Sequence, residues 1–246
     1  MLVTVLSVAY NSEATIARTI ESVLDQTYDN IEYIIIDGAS TDKTAEIARS
    51  YQKAFDEREG RSLLVISEPD QGMYDALNKG AGLAHGELVG QINADDWYEL
   101  DAVEAMVRLY ESEKYDVAWG SIRIKKKSGD MIKHAKIGRF WTTSGWCHPG
   151  MFSKRDILLK FPYAMETMYD DFDYITAVHQ AGKKLTTIDK VVSNFTFGEG
   201  GQSTKKSLAE VKRRVRVTYG IYKKYGMSKG YWFYRWVYEI VKYLVG

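Results

Sequence analysis

Between residues 2 and 121 the chain alternates short apolar runs with amphipathic stretches, four times over. "LVTVLSV" (2–8), "IEYIIIDG" (31–38), "SLLVISE" (62–68), "ELVGQIN" (87–93) and "YDVAWGS" (115–121) read as short buried strands. The first intervening segment carries Ile16, Ile20, Val23 and Leu24 at helical spacing, with Asn11 and Ser12 as N-cap candidates. Residues 40–55 read as the next helix, capped among Ser40, Thr41 and Asp42, followed by helices over 73–84 and 100–112. This alternation predicts an α/β fold, a mostly parallel central sheet with helices on both faces. Such sheets bind ligands at the carboxyl ends of their strands. The polar clusters Tyr10-Asn11, Asp37, Glu68 to Asp70 and Asn93 to Asp96 all fall there.

After residue 120 the pattern changes. "SIRIKKKSGDMIKHAK" alternates around a Ser-Gly-Asp turn and reads as a hairpin. "GRFWTTSGWCHPGMFSKRDIL" is loop-rich and reads as helical from about Ser153; residues 172–182 form a helix ended by Gly182. "KLTTIDKVVSNFTFGEGGQST" reads as an edge strand and then a glycine-rich loop (198–203), either a cover over a ligand or a plain connector. The remainder is a helical tail.

The length of 246 residues fits one α/β domain, alone or with an appendage. A single cysteine, Cys147, excludes an internal disulfide framework and suits a reducing, cytoplasmic compartment. The amino terminus has no basic segment before its apolar run, so no secretory signal is expected, and no uncharged stretch is long enough for a membrane span. Residues 205–246 hold eleven of the 33 Lys and Arg but only two of the 33 Asp and Glu, a net of +9, which leaves −9 on residues 1–204. In that tail Arg235, Glu239 and Lys242 share one helix face, while Trp232, Phe233, Trp236, Val237, Ile240, Val241 and Leu244 cover the rest. Two readings stand: a peripheral contact with the inner face of the plasma membrane through 205–246, or packing on the preceding domain. Nucleic acid is not an expected partner, because these aromatics lie on a helix and not on a sheet platform.

Several chemistries are excluded by what the loops lack. "SVAYNSEAT" has no G-x-G-x-x-G for a dinucleotide, and the chain has no G-x-x-x-x-G-K-[ST] and no G-x-S-x-G elbow. His134, His148 and His179 lack metal-ligand spacing. "INADDWY" instead places two adjacent carboxylates, Asp95 and Asp96, straight after a buried strand. Neighbouring like charges repel, so the pair makes sense beside something positive.

"VTVLSVAYNSEATIARTIESVLDQTYDNIEYIIIDGASTDKT", "SEPDQGMYDALNKGAGLAHGELVGQINADDWY", "CHPGMF" and "YDDFDYI" together resemble a family 2 glycosyltransferase of GT-A fold. The likeness is closest to the bacterial branch that builds capsule, O-antigen or colanic-acid-type polysaccharides. It covers residues 1–204, and its most specific block runs from Ser67 to Tyr98. It implies a nucleotide-sugar-binding half (1–120), an acceptor-binding half (121–204) and a separate basic tail. It also implies inverting transfer from a nucleotide-sugar donor, a UDP-hexose or UDP-N-acetylhexosamine, assisted by Mg²⁺ or Mn²⁺. The acceptor it implies is a lipid-linked saccharide or oligosaccharide.

On that resemblance Asp95 holds the metal that bridges the diphosphate. Asp96 either joins it in substrate binding or caps the next helix. Asn93 stands where an Asp is usual; it can hydrogen-bond a ribose but adds no charge. The resemblance also implies that Asp37 reads a uracil imide, and the same residue can begin the "DGAST" turn. Ala9 and Tyr10, with Asn11 behind them, would contact the base, although a ring there also packs. Glu68, Asp70 and Gly72 follow the third strand; Gly72 permits close backbone approach. Lys79 can reach a phosphate or simply be exposed. In the second half, Trp146 can stack on a sugar beside His148, or belong to a packed loop. Asp170, Asp171 and Asp173 cluster at a helix start, where acids favour the dipole. The resemblance singles out Asp171 as the base that deprotonates the acceptor, with Asp170 as its neighbour in the site. A rival reading is a catalytically inactive GT-A-fold subunit of a polysaccharide assembly complex.

Overall fold

Seven consecutive buried residues, Val3–Ala9, form β1 and set the centre of the fold. A strand buried on both sides needs apolar side chains at even and odd positions alike. Leu6 and Val8 point to one face, with Ile34, Ile36 and the α4 residues Tyr74, Leu77 and Ala81 (α4 is Met73–Leu83). Val3 and Val5 point to the other, with Ile31, Tyr33 and Ile35, under Ile16 and Ile20 of α1 (Ile16–Leu24) and Val103 and Met106 of α5 (Ala102–Glu113). Burying each such side chain contributes roughly 1.5–3 kcal/mol. At Gly80 an added Cβ would stand 2.1 Å from Leu6 Cδ1, so glycine is what lets α4 lie this close to the sheet.

The computed structural model describes residues 1–138, 142, 145–196 and 207–245. Among them, β1 pairs in parallel with β2 (Ile31–Asp37) and β4 (Leu88–Gln91), and β2 with β3 (Arg61–Ser67). The sheet continues through β8 (Met151–Lys154), antiparallel to β4 and to β6 (Val117–Lys125). β6 pairs in parallel with β9 (Leu185–Thr196), and β9 pairs antiparallel with β5 (Trp97–Tyr98). The order is β3-β2-β1-β4-β8-β6-β9-β5, with β7 (Met131–Lys133) beside β6 as the expected hairpin.

Several sequence expectations are corrected. The helix expected from Ser153 is preceded by β8, and α6 runs Arg155–Lys160. Four residues carry too little periodicity to separate strand from helix. Residues 40–55 give two helices, α2 (Thr44–Ser50) and α3 (Gln52–Asp56). Asp42 Oδ1 accepts from the Thr44 N–H at 2.9 Å, which starts α2 late. Asn11 and Ser12 do not cap α1, which begins at Ile16. Asn11 is left-handed at φ 48°, and its Oδ1 accepts from the Thr41 N–H at 2.9 Å; Ser12 N donates to Thr44 Oγ1 at 2.7 Å. Both tie the first crossover loop to the second. The expected edge strand is β9, whose outer side meets only the two-residue β5, at Ser193 and Asn194. The glycine-rich segment 198–203 lies outside the described residues.

The basic tail forms α8 (Leu208–Lys224) and α9 (Gly230–Val245). α8 packs on the sheet domain: Ile221 and Tyr222 share a core with Trp119 and Phe172, and Lys224 Nζ meets Asp173 Oδ2 at 2.7 Å. α7 (Asp170–Gln180), which carries Asp173, begins two residues before the expected start. α9 packs on α8, with Tyr231 stacked on Tyr222 at 4.6 Å. Among the described residues no helix is long and apolar enough to cross a membrane.

Candidate active site

Strand register builds one continuous carboxyl edge. Ala9, Asp37 and Ser67 are partners across β1, β2 and β3. Beyond β4 the backbone keeps running along β1, with Ile92 N bonded to Leu6 O at 3.0 Å and Ala94 N to Val8 O at 3.2 Å. Asp95 therefore emerges beside the end of β1. Because β8 runs antiparallel to β4, the tight turn His148–Gly150 that leads into it stands at this same edge.

The two adjacent acids have opposite environments. The Asp95 side chain is exposed, while its carbonyl accepts from Arg18 Nη2 and Thr196 Oγ1, both at 2.9 Å. The Arg18 guanidinium lies over the Trp97 ring at 3.7 Å. Asp96 is fully buried: its Oδ1 accepts from the Thr196 N–H at 3.0 Å and its carbonyl from Thr19 Oγ1 at 2.6 Å. It anchors the end of β9 and does not cap α5, whose N-cap is Asp101. Asp96 Oδ2 is buried without a hydrogen-bond partner. Partial desolvation raises the Asp95 carboxyl from its ordinary value; burial and then the Asp95 charge push Asp96 well above its own. A nearby cation would relieve both costs. Among the described residues no cluster of three or more His, Cys, Asp or Glu could hold a metal ion unaided. One or two carboxylate oxygens plus the oxygens of a bound diphosphate form the hard donor set that Mg²⁺ or Mn²⁺ takes, and the residues present fit that arrangement. Asn93 is half-buried at the start of this loop, where its carbonyl accepts from Asp96 N at 3.1 Å.

At the β1–β3 end, Asp37 is fully buried and its carboxylate binds the Ser40 N–H at 3.1 Å, the Ser40 hydroxyl and the Ser67 hydroxyl at 2.6 Å. It holds the turn after β2. Ala9 is buried, but the Tyr10 ring is 64% exposed, so it faces solvent and is not used in packing. Asp70 Oδ1 accepts from Gly72 N at 2.8 Å, closing the loop after β3. Gly72 has φ 113° with no protein atom within 4 Å of a Cβ position, so its backbone conformation, not a protein contact, requires glycine. Lys79 is already engaged: Nζ lies 3.0 Å from Glu68 and 3.5 Å from Asp75, and donates to Pro69 O at 2.9 Å. A phosphate would have to compete with these partners, and Glu68 is the partner of Lys79.

Asp171 sits in the first turn of α7, and its carboxylate is clamped. Oδ1 accepts from the Phe172 N–H at 2.8 Å and from the Tyr74 hydroxyl at 3.3 Å; Oδ2 accepts from Trp146 Nε1 at 3.1 Å. Trp146 is buried and packs edge-on against Trp119 at 4.9 Å, so it orients Asp171 and offers no open face to a sugar. Of the two readings of Trp146, its burial favours the packed loop. His148 Nδ1 stands 4.0 Å from Asp171 Oδ2, and burial holds its pKa below the usual histidine value, with Asp171 opposing. Tyr74 is pushed up, chiefly by burial and then by the Asp171 charge, so its hydroxyl keeps its proton and donates. Asp171 thus faces neutral donors, which position a carboxylate without cancelling its charge. Asp170 is different. It is buried, and its oxygens accept from Glu166 N at 2.7 Å, Thr167 N at 2.9 Å and Thr167 Oγ1 at 2.8 Å. It holds the loop before α7 and does not present a free carboxylate to a substrate.

Tyr74 and Arg18 were missed from sequence. A tyrosine in the first turn of a helix that starts at the carboxyl edge is the signal that marks Tyr74. Nothing local marks Arg18, whose partner is a backbone carbonyl 77 residues away.

The family model described as Glycosyl transferase family 2 matches residues 4–172. A putative glycosyltransferase, EpsH of Bacillus subtilis, is 41% identical over 106 residues, 43% of this chain and 29% of that protein. A PGL/p-HBAD biosynthesis glycosyltransferase of Mycobacterium bovis is 29% identical over 149 residues, 60% of this chain and 57% of that protein. The matches thus span less than two thirds of these relatives. Among solved structures, S. aureus TarS 1–349 in complex with UDP-GlcNAc superposes with a TM-score of 0.72 at 19% identity, covering 90% of this chain and 65% of that one. The mannosyltransferase PcManGT from Pyrobaculum calidifontis, in complex with GDP-Man and Mn²⁺, gives 0.67 at 19%, covering 90% and 63%. These likenesses show a shared GT-A fold.

Proposed function

The chain belongs to glycosyl transferase family 2, and from that premise we propose that it performs an inverting transfer. The donor is a UDP-hexose or UDP-N-acetylhexosamine, and the acceptor is a hydroxyl of a lipid-linked saccharide or oligosaccharide in cell-surface polysaccharide synthesis. The observation that carries this reading is the Asp171 carboxylate, clamped by Tyr74 and Trp146 at the start of α7. A general base must be ionised, fixed in direction and within reach of the acceptor hydroxyl. Asp171 takes the hydroxyl proton. The freed oxygen attacks the anomeric carbon from the face opposite the nucleotide, and the bond to the diphosphate breaks with its electron pair leaving on the diphosphate.

Asp95, with Asp96 behind it, would hold Mg²⁺ or Mn²⁺, and such an ion when bound supplies positive charge for the leaving diphosphate. Residues 1–120 take the nucleotide and residues 121–204 the acceptor. Tyr10 offers its exposed ring to the base, while Asp37 shapes the turn beneath it and shares its carboxylate with Ser40. A uracil nucleotide is favoured by the likeness to a protein solved with UDP-GlcNAc, and a guanine nucleotide is the competing case.

Calorimetry with UDP-sugars and GDP-sugars, with and without Mn²⁺, tests this directly. UDP-sugar binding that requires Mn²⁺, and that loses this requirement in a folded Asp95→Ala protein, is the expected result. Unchanged metal-dependent binding in that variant overturns Asp95 as ligand, and preferential GDP-sugar binding overturns the donor.

A further inference from the structure

α9 is inside out. Arg235 and Glu239 are 4% and 1% exposed, whereas Trp232, Phe233, Val237, Val241, Tyr243 and Leu244 are all at the surface, Leu244 at 74% and Phe233 at 67%. The buried charges explain the rotation. Arg235 Nη2 lies 2.7 Å from Glu239 Oε1, and Arg214 Nη1 of α8, itself buried, lies 3.6 Å from Glu239 Oε2. Turning α9 to bury its apolar side would strip Glu239 from Arg214 on α8, since Arg235 lies on α9 itself and turns with it, and breaking a buried ion network is costly. The outward face recurs at positions 233, 237, 241 and 244, which is one continuous helical stripe. A contiguous apolar stripe of this kind on a surface marks an interaction site.

We infer that this stripe lies in the interfacial plane of an anionic lipid membrane. Three observations select that occupant. α9 has 16 residues and carries charge on its inner side, and no helix among the described residues can span a bilayer, so the stripe fits the interface and not a crossing. It carries Phe233 and is flanked on the exposed surface of α9 by Trp232 and Tyr243, aromatic side chains of the kind that settle at headgroup depth. The segment 205–246 carries a net +9, with exposed Lys212, Arg216 and Lys223 on α8, Lys229 just before α9 and Lys242 on α9. Lys and Arg near an anionic surface each add about 1 kcal/mol of attraction. A second copy joined through the same face would bring two +9 segments together, which repel. This inference does not rest on the chemistry proposed for Asp95 and Asp171.

The test is vesicle flotation of the full chain with phosphatidylglycerol-rich vesicles and with pure phosphatidylcholine vesicles. Binding to the anionic vesicles, weakened by salt, is expected. The triple variant Phe233→Ser, Val237→Ser, Leu244→Ser alters exposed side chains only, so its circular dichroism and melting temperature should match the parent. Its vesicle partition should fall at least about tenfold, since each side chain forfeits its transfer from water. The proposal is overturned if the parent floats with neither vesicle, or if the folded triple variant floats as well as the parent. It is also overturned if sedimentation velocity shows a dimer that the triple variant abolishes while vesicle binding is nil, because the face then joins two copies.

Discussion

The Tyr74 hydroxyl lies 3.3 Å from Asp171 Oδ1, joining the first turn of α4 to the first turn of α7 across 97 residues. The same hydroxyl is 3.2 Å from Met168 O, so it sets the height of α7 as well as the direction of the carboxylate. Trp146 closes the other side of Asp171. The candidate base is therefore held by groups from both halves of the chain.

Removing one side of that clamp should slow transfer without weakening donor binding. Tyr74→Phe keeps the ring in its stack on Tyr163 and deletes only the hydroxyl. A hydrogen bond to a charged group contributes about 1.5–3 kcal/mol, so kcat is expected to fall roughly tenfold to a hundredfold. Steady-state kinetics with the donor KM unchanged would bear this out; a raised donor KM with normal kcat would place Tyr74 in nucleotide binding instead.

The adjacent acids of α7 should separate by phenotype. Asp171→Asn is expected to lower kcat by about 10²–10⁴ while the protein melts normally. Asp170→Asn should mainly cost stability, on the order of 1 kcal/mol, since its oxygens secure Glu166 and Thr167. Activity and thermal unfolding measured on both variants check the pair, and near-normal turnover by Asp171→Asn would remove it as base.

His148 makes stability depend on pH. Burial holds its folded pKa below the ordinary value of 6.5, with Asp171 opposing. Between those two values the unfolded chain binds a proton that the folded chain does not. The contribution is therefore fully present above about 6.5 and is lost as pH falls through the folded value. The melting temperature of the parent should drop more between neutral pH and about pH 5 than that of His148→Gln. Parallel curves for the two proteins would show that His148 does not titrate on unfolding.

The buried charges of α9 should behave as a unit. Glu239→Ala leaves Arg214 and Arg235 buried without their acid, a loss of about 3–5 kcal/mol where the network is intact. α9 should then detach, and limited proteolysis should cut the connector 225–229 faster than in the parent. Replacing Arg214, Arg235 and Glu239 together by Met should restore protection, because no charge is left unpaired. Persistent cleavage in the triple variant would mean that the charges, and not the packing, hold α9.

Much of the site was legible before the fold was known. Asp95, Tyr10 and Asp37 follow apolar runs directly, so knowing where a strand ends is enough to place them on the carboxyl edge. Lys79 was legible only as a cation; Asp75 holds it from one turn earlier on α4, and Glu68 by side-chain reach across a loop. Trp146 stayed open between a stacking platform and a packed loop because local sequence cannot report burial. Its edge-on contact with Trp119 and its bond to Asp171 decide its role.

The sequence by itself determined the alternation of strands and helices over residues 2–121, the parallel half of the sheet and the edge on which its polar clusters fall. Those follow from hydrophobic period and from the steric need for crossovers, which act over a few residues. Tertiary structure decided the rest. β8 is too short to announce itself, and it exists because β4 and β6 offer it hydrogen bonds on both sides. Asp171, and not Asp170, carries the neutral clamp because Tyr74 from α4 and Trp146 from a distant loop converge on it. The rotation of α9 was fixed by Arg214, a residue on another helix. A periodic pattern shows that a helix has two faces, but only a buried partner decides which face turns inward.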